Sequence, residues 1–325
     1  MDSTRLLKPR WNRKRCQLAK WMPGLGTVLI VLLLLIICCL QNERSYFSTL
    51  VQALTMFDAR FSRRILGNEE PFVFVGGMPR SGTTLMRAML DAHERIRCGE
   101  ETMVIPWILK SHEEWVKRRG ITEGSGLSEK VLDEAVSAFI SEDPFALFYV
   151  DYLADLFPES KYILMLRDAR ATVHSVITRE VPISGFNRTN YEQCFQAWNG
   201  NMRKLVSQCR GATGRCLMVH YESLVQSPRE QMAEILAFLE EPWSENVLQH
   251  EKFVGGEVML NPNEFSTNQV VQRVNLKAMT AWKGFFNDEL LGKIPRLAPM
   301  MASLGYDPFD LDPDYAKWAL TTDKS

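Results

Sequence analysis

The chain has 325 residues, 46% of them hydrophobic, and a formal net charge of −1, enough apolar material for one large core or two small ones. The charge is unevenly placed. Residues 1–20 carry seven basic side chains (Arg5, Lys8, Arg10, Arg13, Lys14, Arg15, Lys20) and one acid, Asp2, leaving 31 basic against 38 acidic residues in the remainder. That remainder offers no large basic surface, which argues against a nucleic-acid partner.

The first element in chain order is Trp21–Leu40, with an unbroken apolar run after Thr27. Its length matches the ~20 residues a helix needs to cross a bilayer. The basic flank precedes it, so the N-terminus is expected to stay cytosolic. A cleaved signal peptide is the alternative, but no small-x-small cleavage site follows Leu40. The expected organisation is a cytosolic tail at 1–20, a type II signal anchor at 21–40, a polar stem at 41–70 and a lumenal domain at 71–325. Cys209 and Cys216 flank a short polar loop, and a local disulfide is expected there in an oxidising lumen. Asn187-Arg188-Thr189 is a glycosylation sequon.

Beyond the stem, three short apolar strand candidates appear: Phe72–Val75, Tyr162–Leu166 and Leu217–Val219. Helical spacing of apolar residues marks Lys130–Ile140, Tyr191–Val206 and Gln231–Leu239, the last preceded by Ser227-Pro228, a cap residue with Pro in the first turn. A Gly124-Ser125-Gly126 loop interrupts the first crossover. Widely spaced strands with helices between them predict an α/β fold, a P-loop-like parallel sheet flanked by helices.

The first strand runs into Gly76-Gly77-Met78-Pro79-Arg80-Ser81-Gly82-Thr83-Thr84 and then a helix-forming run. A strand, a Gly-rich turn and a helix N-terminus direct unpaired backbone N–H groups and a positive dipole end at an anion. The Walker pattern needs a Lys before the hydroxyl residue. Here an Arg stands earlier in the loop instead, which disfavours an NTPase or kinase and leaves an anion cradle that requires no metal. The second strand ends at Arg167, and Ser175 and Arg179 follow four residues apart on one helix face. In an open α/β sheet, ligands sit at the carboxyl ends of the strands, so this cluster is expected beside Arg80 as a second phosphate grip.

These residues carry a family resemblance. Phe72–Arg97, Cys98-Gly99-Glu100-Glu101-Thr102, Arg167–Arg179, Trp198-Asn199, His220-Tyr221-Glu222, Ser266–Val270 and Leu304–Pro308 resemble the tyrosylprotein sulfotransferases. The similarity runs from about Pro71 to about Pro313. It implies the sulfotransferase fold, preceded by the one transmembrane helix. It also implies a donor, 3′-phosphoadenylyl sulfate, and transfer to protein tyrosines in acidic context in the Golgi lumen by a membrane protein that forms homodimers. By the same resemblance, Arg80, Ser81, Gly82, Thr83 and Thr84 would hold the 5′-phosphosulfate, and Arg167, Ser175 and Arg179 the 3′-phosphate. Tyr221 and the stretch Ser266, Thr267, Asn268, Gln269, Val270, Val271, Gln272, Arg273, Val274, Asn275 would close over the nucleotide. Glu101 would be the catalytic base, with Arg80 and Ser266 stabilising the transition state. Thr102, Met103, Val104, Ile105 and Pro106 would contact the acceptor.

The chain also departs from the family. A segment carrying a Cys and then Asn-Lys is missing before Asp143-Pro144-Phe145, so Glu142 stands where the family has a transition-state Lys, and Cys98 is expected to remain a thiol. Met103 and Trp107 replace two Arg residues that grip acidic peptides. Gln272 and Ala281 replace Lys residues near the nucleotide, with Arg273 and Lys283 close in sequence. These changes set two rival readings beside tyrosine transfer: a nucleotide-binding relative without turnover, and a sulfotransferase with a glycan or small-molecule acceptor.

Overall fold

A short apolar run with no polar alternation is the pattern of a strand covered on both faces, and three such runs form the centre of the molecule. The computed structural model describes residues 71–98, 105–117, 144–258, 260, 265–272 and 274–319. The tail, the Trp21–Leu40 span, the stem, the Gly124-Ser125-Gly126 loop and the Lys130–Ile140 helix lie outside these residues, as do Glu101, Thr102, Met103, Val104, Glu142 and Arg273. Among the described residues no helix is long and apolar enough to cross a membrane.

Strand β1 (Val73–Gly77) leads through a tight loop into α1 (Thr83–Asp91), and α2 (Ile105–Lys117) follows. A 3₁₀ turn at Pro144–Tyr149 precedes α3 (Val150–Leu156), β2 (Lys161–Leu166), α4 (Ala169–Thr178) and α5 (Tyr191–Gly211). Strand β3 (Cys216–His220) continues directly into α6 (Tyr221–Gln226) and then α7 (Pro228–Leu239). The remainder is built from short pieces: a 3₁₀ segment Glu245–Lys252, α8 (Thr267–Val270), a 3₁₀ turn Leu276–Met279, α9 (Asp288–Leu297), α10 (Met300–Ser303) and a last 3₁₀ turn, Tyr315–Trp318.

The sheet has the order β1-β2-β3 and both pairings are parallel. Val73 pairs with Lys161 and Gly77 with Met165; Tyr162 pairs with Cys216 and Leu166 with His220. This register brings the carboxyl ends of all three strands to one edge, where Arg80, Arg167 and Tyr221 emerge. The two-residue period divides the strands between two cores. Phe74, Tyr162, Leu164 and Leu166 join Trp198, Leu205 and Ile294 on one face. Val75, Ile163, Met165 and Val219 join Met89, Leu90, Leu224 and Ile235 on the other.

The helices begin where local chemistry directs. Asp168 caps α4 by accepting from Arg170 N–H, Asn190 caps α5, and Pro228 occupies the first turn of α7. Helix α5 continues past Val206 because its buried face repeats through Met202, Leu205 and Cys209. Its end is tied to β3 by the Cys209–Cys216 disulfide, with Cα atoms 5.3 Å apart. Cys98 and the buried Cys194 are thiols. Asn187 lies in an exposed turn, and its side-chain carbonyl accepts from Thr189 Oγ1 at 2.7 Å.

Candidate functional site

The loop between β1 and α1 owes its shape to two residues with positive φ, Arg80 at 72° and Gly82 at 101°. Arg80 is a non-glycine residue in the left-handed region, a conformation that costs about 1–3 kcal/mol and persists where the surroundings enforce it. Gly82 is the residue before α1, and the ring of Tyr221 packs directly on it. A Cβ at Gly82 would sit 2.5 Å from Tyr221 Cδ2. Gly77 is equally confined, since its Cβ would lie 2.7 Å from both the Met165 carbonyl oxygen and Ser81 Oγ.

The other strand ends lock onto this loop. Arg167 Nη1 donates to the Arg80 carbonyl at 2.5 Å and Nη2 to the Ala278 carbonyl at 2.7 Å. The Arg167 guanidinium lies over the Tyr221 ring, 4.5 Å from its centroid. The Arg80 side chain crosses the cleft. Its Nε donates to Ser175 Oγ at 3.0 Å, Nη1 to Ser266 Oγ, and Nη2 to Gln269 Oε1 at 2.5 Å. Arg179 Nη1 reaches Asn268 Oδ1 at 3.4 Å. The sequence separations here, 95 residues from Arg80 to Ser175 and 186 to Ser266, are closed only by the fold.

The result is a cleft of about 290 Å³ lined by Arg80, Gly82, Thr84, Arg167, Ser175, Arg179, Tyr221, Ser266, Gln269, Val270, Gln272, Val274 and Asn275. Most of the nucleotide residues expected from the sequence therefore meet in one place. Ser81, Thr83, Thr267, Asn268 and Val271 do not line it; Ser81 and Thr83 are buried in the loop and at the start of α1, while Val271 is exposed. Of the expected acceptor segment, Ile105 and Pro106 open α2. Five further lining residues have no counterpart in the sequence reading: His174, Thr178, Leu85, Lys277 and Ala278. The first two share the helix face of Ser175 and Arg179, so the i, i+3, i+4 rule that found the latter pair also reaches them. Lys277 had no such signal, because the 3₁₀ turn that presents it follows no apolar period.

The electrostatics favour an anion. Arg80, Arg167, Arg179 and Lys277 all line the cleft, and no carboxylate does among the described residues. Burial and the charge of Arg167 push the His174 imidazole below its ordinary range, so it is neutral near pH 7. Near the cleft, the buried Ser81 Oγ and Arg167 Nε have no hydrogen-bond partner among the described residues. An oxyanion in the cleft would suit the Arg167 donor.

Beneath the cleft lies a second buried layer. Glu222 is fully buried; its Oε1 accepts from Asp168 N–H at 3.1 Å and its Oε2 from Tyr306 OH at 2.7 Å. Asp168 pairs with Arg170 at 2.7 Å and accepts from Tyr315 OH at 2.8 Å. Arg170 stacks over Trp282 at 4.4 Å. Burial raises the Glu222 carboxyl to about 7, assisted by the neighbouring Asp168 charge.

Comparison with known proteins agrees with this architecture. The Sulfotransferase family matches residues 71–137 and 127–245. Protein-tyrosine sulfotransferase 1 of Danio rerio is 43% identical over 273 residues, covering 78% of this chain and 77% of the relative. Protein-tyrosine sulfotransferase A of Caenorhabditis elegans is 43% identical over 266 residues, 76% of this chain and 70% of that protein. Protein-tyrosine sulfotransferase 1 of Homo sapiens is 42% identical over 292 residues, 83% and 79%. Among solved structures, the sulfotransferase domain from the curacin biosynthetic pathway superposes with a TM-score of 0.53 at 17% identity, over 74% of this chain and 99% of that one. At that identity it establishes the fold. Identity of 42–43% over three quarters or more of the chain shows that it belongs to the protein-tyrosine sulfotransferase family.

Proposed function

We propose that the protein transfers the sulfuryl group of 3′-phosphoadenylyl sulfate to the phenol oxygen of tyrosines in acidic context on secretory proteins, as a type II membrane protein of the Golgi. The observation that carries this reading is the convergence of the Arg80 loop, Arg167 and Ser175 on one cationic cleft. Arg80 and the α1 N-terminus would hold the 5′-phosphosulfate, and Arg167, Ser175 and Arg179 the 3′-phosphate. When bound, the donor supplies an activated sulfuryl group and leaves as adenosine 3′,5′-bisphosphate.

A tyrosine phenol, with pKa ~10, is a poor nucleophile near neutral pH. A carboxylate in reach can take its proton as the new bond forms, the role the family resemblance gives Glu101. The Arg80 guanidinium and Ser266 hydroxyl, already hydrogen-bonded to one another, would stabilise charge developing on the reacting oxygens. With Glu142 in place of the family's Lys, one such donor is lost, which predicts a rate ~10²–10³ below that of a relative that has it.

The test is transfer of labelled sulfate from the donor to a tyrosine peptide with acidic flanks, comparing wild type with Glu101→Ala. Transfer well above the variant is expected. Donor binding by calorimetry without transfer would replace the proposal with a nucleotide-binding relative, and transfer to glycans alone would reassign the acceptor. A cell-localisation experiment with residues 1–40 deleted tests the anchor, and sedimentation of the lumenal part tests the family's homodimer.

A further inference from the structure

Arg167 and Tyr221, which form the floor of the cleft, stand at the ends of neighbouring strands. Their relative position depends on how the two chain segments turn away from the sheet just after Leu166 and His220. One side chain bridges the two turns. Glu222 follows Tyr221, and its Oε1 accepts from the N–H of Asp168, the residue that follows Arg167. Its Oε2 is held by Tyr306 OH. A carboxylate fully removed from water is costly unless its bonds are well made, and nothing in the sheet itself requires an acid here.

We infer that Glu222 is a positioning residue for nucleotide binding: by clamping the Asp168 main chain to the start of α6, it fixes the Arg167 guanidinium over Tyr221 and so sets the second phosphate grip. This inference rests on the proposed nucleotide reading of the cleft. The groups facing Glu222 are Asp168 and Arg167 from the turn after β2 and Tyr306 from the C-terminal segment, with Arg170 and Tyr315 one bond further out on Asp168. Burial holds the Glu222 carboxyl at about 7. Loss of its charge leaves both hydrogen bonds possible but removes a negative charge near Arg167, which strengthens the anion grip.

The experiment is calorimetric binding of adenosine 3′,5′-bisphosphate and of adenosine 5′-monophosphate to wild type, Glu222→Ala, Glu222→Gln and Tyr306→Phe. Wild type is expected to prefer the bisphosphate, and Glu222→Ala to lose about 10- to 100-fold of that affinity, the worth of a charge-assisted contact, with much less change for the monophosphate. Glu222→Gln, which can still accept from Asp168 N–H, is expected to recover most of the loss. Tyr306→Phe is expected to lower the melting temperature with affinity within about threefold. The ratio of wild-type to Glu222→Gln affinity cancels the nucleotide's own titration. It is expected to fall about two- to fivefold as pH rises through about 7, as Glu222 becomes charged.

A folded Glu222→Ala that binds the bisphosphate like wild type overturns the inference, as does a Glu222→Gln that loses as much as the Ala variant. If Glu222→Ala does not fold, the shortened Glu222→Asp takes its place: it is expected to lose about tenfold in affinity for the bisphosphate, and wild-type-like binding overturns the inference. If wild type binds neither nucleotide, it is the reading of the cleft that fails.

Discussion

The cleft has two walls of different construction. The floor, made by Arg167, Asp168, Tyr221 and Glu222, is at most 7% exposed and grows from strand ends fixed by the parallel ladder. The lip, residues 265–272 and 274–281, holds two one-turn helices, with Val271 41% and Leu276 51% exposed. The floor is held by main-chain acceptors and buried side-chain bonds. The Ser266–Gln269 part of the lip meets the β1–α1 loop through side chains, with Ser266 and Gln269 on Arg80. Arg80 is one joint between the walls, since its carbonyl belongs to the floor through Arg167 while its guanidinium reaches the lip, and the Arg167 bond to the Ala278 carbonyl is a second.

Breaking the Arg80 joint has the largest expected effect. Arg80→Ala removes the bonds to Ser175, Ser266 and Gln269 together. Sulfate transfer is expected to fall by ~10²–10³, and hydrogen exchange across 266–272 to rise while that of β2 stays unchanged. Equal deprotection of both regions would remove the distinction between the walls.

Opening the disulfide acts on the floor's scaffold alone. Cys209 and Cys216 close a short loop between α5 and β3, and replacing both with Ser is expected to cost about 2–3 kcal/mol of unfolding free energy, read from the denaturant midpoint. The KM for donor is expected to move little, because the strand ends that carry Arg167 and Tyr221 lie at the far end of the sheet. A smaller perturbation placed at the site should do the opposite. Gly82→Ala puts a methyl into the Tyr221 ring at a φ of 101°, a strain of about 1–3 kcal/mol, and is expected to raise the donor KM about tenfold by displacing Tyr221 beneath Arg167.

The same division governs what the sequence could reveal. The floor was legible because strands buried on both faces show as continuous apolar runs, and the Arg80 loop breaks such a run with glycine. The strands proved longer than their apolar stretches, reaching Gly77 and His220 because ladder bonds need no apolar side chain. The buried layer beneath the floor was not legible. Arg170 reads as one more cation in an arginine-rich turn, yet it is 1% exposed, turned inward onto Asp168 and Trp282. Nothing local announces that Tyr306 and Tyr315 return to bond Glu222 and Asp168 across 84 and 147 residues. The lip was placed by family likeness alone, since one-turn helices have no period to detect.

Protonation separates the two walls, with the smallest expected effect. Glu222, in the floor, is raised by burial from an ordinary 4.5 to about 7. Its folded form holds the proton more tightly than the unfolded chain, so its contribution to stability is full below about 4.5 and is lost as pH rises to about 7. His250 supports the lip from the 3₁₀ segment Glu245–Lys252; it is 1% exposed and its ring lies against the main chain of Val270 and Gln272. Burial lowers its pKa below 6.5, with the charge of Glu251 opposing the shift. Its contribution is therefore full above about 6.5 and is lost as pH falls through the folded value. Just below pH 6.5 the two slopes oppose one another. Acidification from pH 7.5 to 5.5 is expected to reduce hydrogen-exchange protection of 266–272, after correction for the intrinsic exchange rate, by roughly 1 kcal/mol at most. His250→Gln is expected to flatten the lip's dependence and leave the floor's intact. A lip whose protection tracks the floor at every pH would mean that the two walls open as one unit, with Arg80 strong enough to couple them.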